Sequence, residues 1–538
     1  MRDGAIKEIA GEEFDLIVVG AGVNGAGAAR DAAMRGLRVL VLDKGDISSG
    51  TTARSTRLIH GGLRYLEHGE VGLVRESLRE RETLLRRVAP HLVRPLPVLV
   101  PLYTSRRRAP LTIRAGVLAY DLLSTGKTLP GRSVLSREET LALAPSISSD
   151  GLKGAVLFYD AQVEYAERLA VENALAARES GARVLTYARV ERLIKEGGAV
   201  RGVEFTDTLG GGSHKARSRV VLNAAGPWVD EVLGGEAGRG EPLVGGTKGS
   251  HVVVGAFEGA PGVALYSEAI EDGRPFFVIP WDGKFLIGTT DERYSGDLDR
   301  VDASPREVEY LLREANRLLP SANLTPGRVL YTYSGVRPLA FAGSRAEAAV
   351  TRRHFVRPAS LRGLFSLVGG KLTTYRSLAE QAVSLVFKEL GRRPRPCETM
   401  TTPLPGAVGF DEFGRHFRER STLAPRSTER LLKIYGSRAG LVLELAGRHH
   451  ELREVISEET GSVAAEVVFS FESEMAETLS DCLFRRTMVG LNSAAGTDAA
   501  ERAAAVAQKF LGWGEERAAR EVENYAGEVE RLRPRVPE

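Results

Sequence analysis

At 538 residues the chain is too long for a single hydrophobic core, so two or three domains are expected. Hydrophobic residues at 43%, charged residues at 27% and a formal net charge of +3 describe an ordinary globular protein, without the positive field that would argue for nucleic acid. Cys397 and Cys482 are far apart and outside any C-x-x-C spacing, which excludes a cysteine-ligated iron–sulfur cluster or zinc ribbon in this chain. No metal is expected, and the scarcity of cysteine suits a reducing compartment. The opening MRDGAIKEIAGEEF is charged and has no apolar centre, so it does not read as a signal peptide. No apolar run is long enough to span a bilayer, so any membrane association would be peripheral.

Residues 14–43, FDLIVVGAGVNGAGAARDAAMRGLRVLVLD, carry the strongest local pattern. Residues 16–19 are the β-branched, apolar run of a buried parallel strand. Gly20, Gly22 and Gly25 follow at G-x-G-x-x-G spacing, residues 26–35 read as a helix, and residues 37–42 form a second strand ending in Asp43. Gly20 allows a tight turn, Gly22 lets backbone approach a pyrophosphate, and Gly25 lets helix and strand pack closely. The helix N-terminus faces the phosphate charge, and Asp43 is placed to accept from a ribose hydroxyl. An ADP-containing dinucleotide follows; NAD and FAD both satisfy this stretch.

Residues 50–65, GTTARSTRLIHGGLRY, are rich in small hydroxyl side chains and close on paired glycines beside a His, an Arg and a Tyr. They read either as a polar turn or as a loop passing a flavin ring and delivering Arg64 to an anionic substrate. On the second reading Thr51, Thr52, Ser55, His60, Gly61 and Gly62 contact the cofactor. Residues 69–87 form a charged helix with a solvated face. Residues 105–123 place Arg106, Arg107, Arg108 and Arg114 beside Leu111, Ile113, Val117, Leu118 and Tyr120. That is either a solvated loop entering a core helix or a basic, amphipathic contact with anionic lipid.

Residues 152–158 and 163–180 return to strand-then-helix order, with further strands at 184–193 and 200–205. A strand at 220–223 ends in Asn-Ala-Ala-Gly, where Gly226 offers a second close approach to the cofactor. Residues 246–294 change character to several short strands, with Asp282-Gly283 as a hairpin turn, so a separate antiparallel sheet begins there. Residues 305–319 are one amphipathic helix laid on it. Arg337 stands between a Gly-Val and a Pro. A strand at 364–368 then runs into Gly369, Gly370, Lys371, Leu372 and Thr373 and a helix to about residue 390, whose positive end suits the N1–C2=O edge of a reduced flavin. From about residue 403 the pattern is helical, with helix-type composition over residues 428–435, 441–446, 463–486 and 499–533. Trp228 and Trp281 read as core packing and the two cysteines as inert buried thiols.

The ordered set DLIVVGAGVNGAG, RLIHGGLRYLEHGE, NAAGPWVD, KGSHVVV, FFVIPWDGKFLIGTTDERYSGD, YSGVRPL, VGGKLTTYR and DCLFRRT resembles the FAD-dependent glycerol-3-phosphate dehydrogenases, within the D-amino-acid-oxidase-like flavoproteins. The resemblance implies an α/β plus α+β fold. A discontinuous, Rossmann-like FAD-binding domain would span 14–65, 151–245 and 335–396. An inserted antiparallel-sheet substrate domain would span 66–150 and 246–334, and a C-terminal helical domain 397–538. It also implies oxidation of sn-glycerol 3-phosphate to dihydroxyacetone phosphate, electrons passing from FAD to membrane quinone, on a cytoplasmic protein held peripherally at the inner face of the cell membrane. Arg64, Arg337 and Lys371 then resemble substrate-pocket cations, Tyr65 a pocket hydroxyl and His251 the pocket histidine.

The chemistry agrees with that inventory. Moving a hydride from C2 of the alcohol to flavin N5 requires a base for the hydroxyl proton, and His251 is the natural candidate because imidazole titrates near neutrality. Guanidinium is a poor base, so Arg337 is assigned anion and alkoxide stabilisation. Arg64 is the preferred phosphate ligand, through its planar fork. A glycerol-3-phosphate oxidase that reduces oxygen to hydrogen peroxide is the alternative. Whether the C-terminal helices serve a homodimer contact, membrane docking or another partner is open at this level.

Overall fold

The computed structural model describes residues 2–67, 69–104, 109–124, 126–234, 241–343 and 352–535. The fingerprint strand Glu13–Val19 sends Leu16 and Val18 to one side and Ile17 and Val19 to the other. All four are buried, as a strand covered on both faces must be. It is central to a parallel run ordered Leu364–Val368, Ser213–Asn223, Glu13–Val19, Val39–Leu42, Arg183–Leu185. In register, Ile17 stands between Val221 and Leu40. Phe355–Pro358 closes one edge antiparallel, and Ala188–Glu196 and Ala199–Asp207 form an antiparallel meander on Ser213–Asn223.

The helix Val23–Met34 packs against Ala166–Glu179 and Tyr375–Glu389 on one face of this sheet. Its small side chains permit close approach: a Cβ added to Gly27 would lie 2.6 Å from the Tyr375 ring. These helices and the sheet share one apolar core.

The second sheet has ten strands and roofs the cofactor sheet. Its inner strands Thr247–Gly255 and Val329–Arg337 pair antiparallel, with Gly249 opposite Gly335 and His251 opposite Tyr333. Alternation along Thr247–Gly255 sorts the side chains. Val252 and Val254 face the amphipathic helix Pro305–Leu318, whose Ser304 and Glu307 form a capping box. Gly249 and His251 face the other way, into a cleft between the sheets.

The expected fold class is observed, with two differences among the strands. The strand read at 152–158 is Leu152–Val163 and runs in the ten-stranded sheet, and Leu58–Ile59, within the stretch read as a loop, is a short strand paired with it. The expected solvated helix is Val71–Thr83, yet Glu80 and Arg81 on it are buried. Glu80 receives a two-point hydrogen bond from Arg376, at 2.7 and 2.6 Å, and Arg81 donates to Asp160 at 2.7 Å. Arg75 and Arg79 do face solvent, but Glu80 and Arg81 are internal ties.

Beyond the cofactor sheet the chain is mainly helical, including Phe410–Arg420, Pro425–Tyr435, Ala439–Arg448, Ala464–Ser473, Ala500–Leu511 and Glu515–Leu532. The continuous helical stretch read at 463–486 breaks after Ser473 and resumes as a π-helical turn, Asp481–Arg486. The stretch read at 499–533 breaks at Gly512, whose φ of +70° caps a helix in the left-handed region.

Candidate active site

The cleft between the two sheets is a cavity of about 1630 Å³ lined from nearly every part of the chain. At one end lies the fingerprint. Gly20 has φ +103°, and a Cβ there would lie 2.7 Å from the Ala224 carbonyl oxygen. Gly22 opens the helix beside Thr52, whose hydroxyl accepts from the Val23 N–H at 3.1 Å. The Asp43 carboxylate accepts from Ala21 N–H at 2.5 Å and Gly45 N–H at 2.9 Å. Burial outweighs those two bonds and pushes its carboxyl up to about 6. Gly226, at φ +61°, begins the short turn on the far side of this end. Trp228 lines the cleft there with Lys44 Nζ 4.3 Å above its ring, a correction to its reading as core, whereas Trp281 is buried.

The middle is walled by the hydroxyl-rich loop. Thr51 donates to the Val336 carbonyl at 2.7 Å, and the Ser55 hydroxyl accepts from Arg57 N–H at 3.3 Å. The His60 N–H donates to Thr373 at 3.1 Å, tying the two glycine loops together, and the imidazole is pushed down to about 4 by burial. Gly61 N–H donates at 2.7 Å to the Tyr120 hydroxyl, which in turn donates to Asp160. Gly62, at φ +79°, leaves room for Tyr65, whose ring an added Cβ would enter.

Tyr65 sits among cations. Lys371 Nζ lies 3.9 Å from its ring centroid. Arg337 reaches into the same region and donates to Asp291 at 3.0 Å, to Thr289 Oγ1 at 2.9 Å and to the Thr290 carbonyl at 3.2 Å. Arg352 donates to the second Asp291 oxygen at 2.9 Å. Asp291 thus fixes two guanidinium groups side by side. Burial raises the Asp291 carboxyl, but Arg337 and Arg352 outweigh it and hold the group below the usual carboxylate range. Lys371 Nζ and Arg352 Nη1 are buried without a hydrogen-bond partner among the described residues. Arg64 and Leu372 complete this wall. Burial pushes the Lys371 amine down to about 7.

His251 requires a correction. Its Nε2 is 2.9 Å from the Thr56 hydroxyl and its ring lies against Tyr333 at 4.9 Å between centroids. Burial, with Arg337 and Arg57 adding repulsion, holds its pKa well below the usual 6.5. It is therefore a fixed neutral imidazole and not a group titrating near neutrality. Gly25, Gly61 and Gly369 do not line the cleft, although the sequence reading counted them among the cofactor contacts. They stand behind its wall: an added Cβ on Gly25 would lie 1.9 Å from the Gly20 carbonyl oxygen, and one on Gly369 2.8 Å from that of Arg353. The helix expected after this glycine loop begins at Tyr375, and residues 372–374 form the turn leading into it.

Sequence reasoning missed Arg352, Asp291, Arg54 and Tyr187, all of which line the cleft. Asp291 lies inside the motif FLIGTTDERYSGD, the one signal that could have found it. Arg352 and Arg54 sit in runs of small or basic residues with no local pattern.

Residues 15–376 match the family model for FAD-dependent oxidoreductases, and residues 397–518 that for the C-terminal domain of alpha-glycerophosphate oxidase. The chain is 45% identical to a glycerol-3-phosphate dehydrogenase of Synechocystis over 96% of each sequence. The chain belongs to the FAD-dependent glycerol-3-phosphate dehydrogenase family. An aerobic glycerol-3-phosphate dehydrogenase of Staphylococcus epidermidis is 32% identical over 90% of this chain and 88% of its own length. The crystal structure of the Bacillus halodurans glycerol-3-phosphate dehydrogenase with FAD superimposes with a TM-score of 0.82 at 29% identity, covering 100% of this chain and 99% of that one. FAD is accordingly the cofactor, and the residues fit it. Gly20 has no room for a side chain and Gly22 little, Asp43 lines the cleft at the end of the second fingerprint strand, and the loops at 60–62 and 370–373, joined by the His60–Thr373 hydrogen bond, both border the cleft.

Proposed function

We propose that this chain oxidises sn-glycerol 3-phosphate to dihydroxyacetone phosphate and passes the electrons to membrane quinone. The observation that carries the reading is the cation cluster beside the cofactor cleft. Arg337 and Arg352 share Asp291, Lys371 stacks on Tyr65, and among the described residues two of the buried N–H-bearing nitrogens, Lys371 Nζ and Arg352 Nη1, have no partner. Buried cationic donors without partners call for an anion with several oxygens, and a phosphate ester supplies one.

Bound FAD supplies the hydride acceptor, at flavin N5. The protein residues supply the rest. Arg337, Arg352, Arg64 and Lys371 bind the phosphate and hold the C2 carbon toward the cofactor. The ester also needs the Tyr65 hydroxyl, which borders the same wall. In the tautomer that donates Nε2–H to Thr56, neutral His251 keeps Nδ1, which has no partner among the described residues, as an acceptor for the C2 hydroxyl proton. The positive charge of Arg337, which already lowers the His251 pKa, stabilises the alkoxide as that proton leaves.

The membrane reading rests on the helix Pro110–Leu123. Its inner face buries Val117 and Tyr120, and Tyr120 holds the Gly61 loop. Its outer face leaves Leu111 77%, Leu118 40% and Leu122 70% exposed. These leucines recur at helical spacing, so one stripe of the helix is apolar and faces outward. Arg114 lies beside them, exposed. Arg106, Arg107 and Arg108, the other basic residues of that reading, lie outside the described residues. Among the described residues no helix is long and apolar enough to cross a membrane. We infer peripheral attachment at the cytoplasmic face, where quinone is within reach.

The acceptor is tested by reducing the enzyme anaerobically and mixing it with a soluble quinone analogue or with air-saturated buffer. Reoxidation much faster with quinone is expected. Faster reoxidation by oxygen, with stoichiometric hydrogen peroxide, would make the chain an oxidase.

A further inference from the structure

The motif DCLFRRT has no part in the chemistry above, yet its side chains end at the cofactor cleft. It forms the π-helical turn Asp481–Arg486, buried throughout. Single π-turns cost regular hydrogen bonding and recur where a side chain must be aimed. Here three are aimed. Arg486 grips both oxygens of Asp46, at 2.8 and 2.7 Å, and Arg485 donates to the same carboxylate at 2.6 Å. Arg485 also donates to Asp481 at 2.6 Å, and Asp481 accepts from the Tyr187 hydroxyl at 2.7 Å.

Asp46 and Tyr187 belong to neighbouring loops at one end of the cleft. Asp46 lies three residues after Asp43, on the loop that carries the ribose-binding acid. Tyr187 lies on the loop between Arg183–Leu185 and Ala188–Glu196, with φ +57°, and both residues line the cavity. The two loops are stitched together at the base by Ala188 N–H to the Asp43 carbonyl at 2.6 Å and Tyr187 N–H to the Gly45 carbonyl at 3.0 Å. Backbone hydrogen bonds from Tyr187 N–H to Gly45 and from Thr208 N–H to Tyr187 set the path of the second loop, while the Asp46 carboxylate and the Tyr187 hydroxyl reach beyond their own loops. Both are held from outside, by one turn more than 290 residues further along the chain.

We propose that the Asp481–Arg486 turn is a brace for the cofactor: it clamps the two loops that wall the adenosine end of the cleft and thereby sets affinity for the ADP half of FAD. The inference rests on FAD lying with its ribose at Asp43. It gives the C-terminal region a role in cofactor retention that does not depend on substrate or acceptor. Asp46, Tyr187, Arg485 and Arg486 are positioning residues, acting through the loop backbone around Asp43 and Ala188. A loop freed of its brace that keeps the closed arrangement about a tenth of the time would bind about tenfold more weakly.

The test is calorimetric titration of apo-protein with FAD and, separately, with ADP, in wild type, Asp46→Asn, Arg486→Lys and Tyr187→Phe, with thermal unfolding of each. The Tyr187→Phe variant removes one hydroxyl and keeps the ion pairs, so it folds if the other two do not. FAD and ADP dissociation constants are expected to rise together, about tenfold for the charge variants and about two- to threefold for Tyr187→Phe. Unchanged FAD and ADP affinity in the folded variants, with only a lower unfolding temperature, would reduce the turn to ordinary packing and overturn the proposal. Weakened FAD with unchanged ADP would place the effect at the flavin end and overturn it equally.

Discussion

Arg337→Ala is the perturbation that bears hardest on the substrate pocket. Arg337 is positioned by three hydrogen bonds to Asp291, Thr289 and Thr290, none of which uses up its capacity to face the cleft. Truncation removes a planar fork that would engage the substrate anion and the developing alkoxide. A hydrogen bond to a charged group contributes about 1.5–3 kcal/mol, so two of them contribute about 3–6 kcal/mol. At 1.4 kcal/mol per factor of ten, the loss in kcat/KM is about 10²–10⁴-fold. The Asp291 carboxylate adds to the loss, because without Arg337 it keeps only Arg352 and brings an under-compensated negative charge toward a dianionic ester. The assay is anaerobic stopped-flow reduction of the bound flavin by glycerol 3-phosphate, with FAD content measured alongside. FAD content is expected to be that of wild type, because the cofactor cradle lies at the fingerprint. Arg337→Lys, which keeps charge but loses the fork, is expected to fall between the two. Reduction of Arg337→Ala within threefold of wild type would refute the reasoning.

Two further outcomes follow from the same geometry. The Lys371 amine titrates at about 7 in the folded chain against an ordinary 10.5, so the unfolded chain binds more protons between those values and apo-protein stability rises with pH across that window. Chemical denaturation from pH 7 to 10 is expected to show the rise in wild type and lose it in Lys371→Met, and kcat/KM should fall as pH passes about 7 but not in Lys371→Arg. Replacing Leu111, Leu118 and Leu122 together with Ser is expected to lower flotation with anionic liposomes while leaving dye-linked turnover intact; unchanged flotation would remove that helix from the membrane contact.

What the sequence could reveal divides along how far apart the partners are. The fingerprint was legible because strand, glycines, helix and acid are contiguous, and each glycine has one steric reason for its place. The residues of the cation cluster lining the cleft were legible too, through HGGLRY, GVRPL and GGKLTTY. Their relations were not. Arg352 joins Arg337 only through Asp291, and no local pattern marks a residue whose partner comes from another strand. His251 was legible as an imidazole in the pocket, but its pKa depends on burial and on Arg57 and Arg337, which the fold brings from remote segments. Glu80 and Arg81 read as solvated because their ties, Arg376 and Asp160, are far away in the chain. DCLFRRT was visible as a motif and opaque as a device, since the carboxylate it grips lies some 440 residues earlier.

The central claim is that this cleft oxidises glycerol 3-phosphate with FAD. Purified protein loaded with FAD and mixed anaerobically with glycerol 3-phosphate tests it in one step. The account predicts rapid bleaching of the oxidised flavin band, saturating with substrate and absent with glycerol, which lacks the phosphate that the cation cluster would hold. No bleaching, in protein demonstrated to carry FAD, would contradict it.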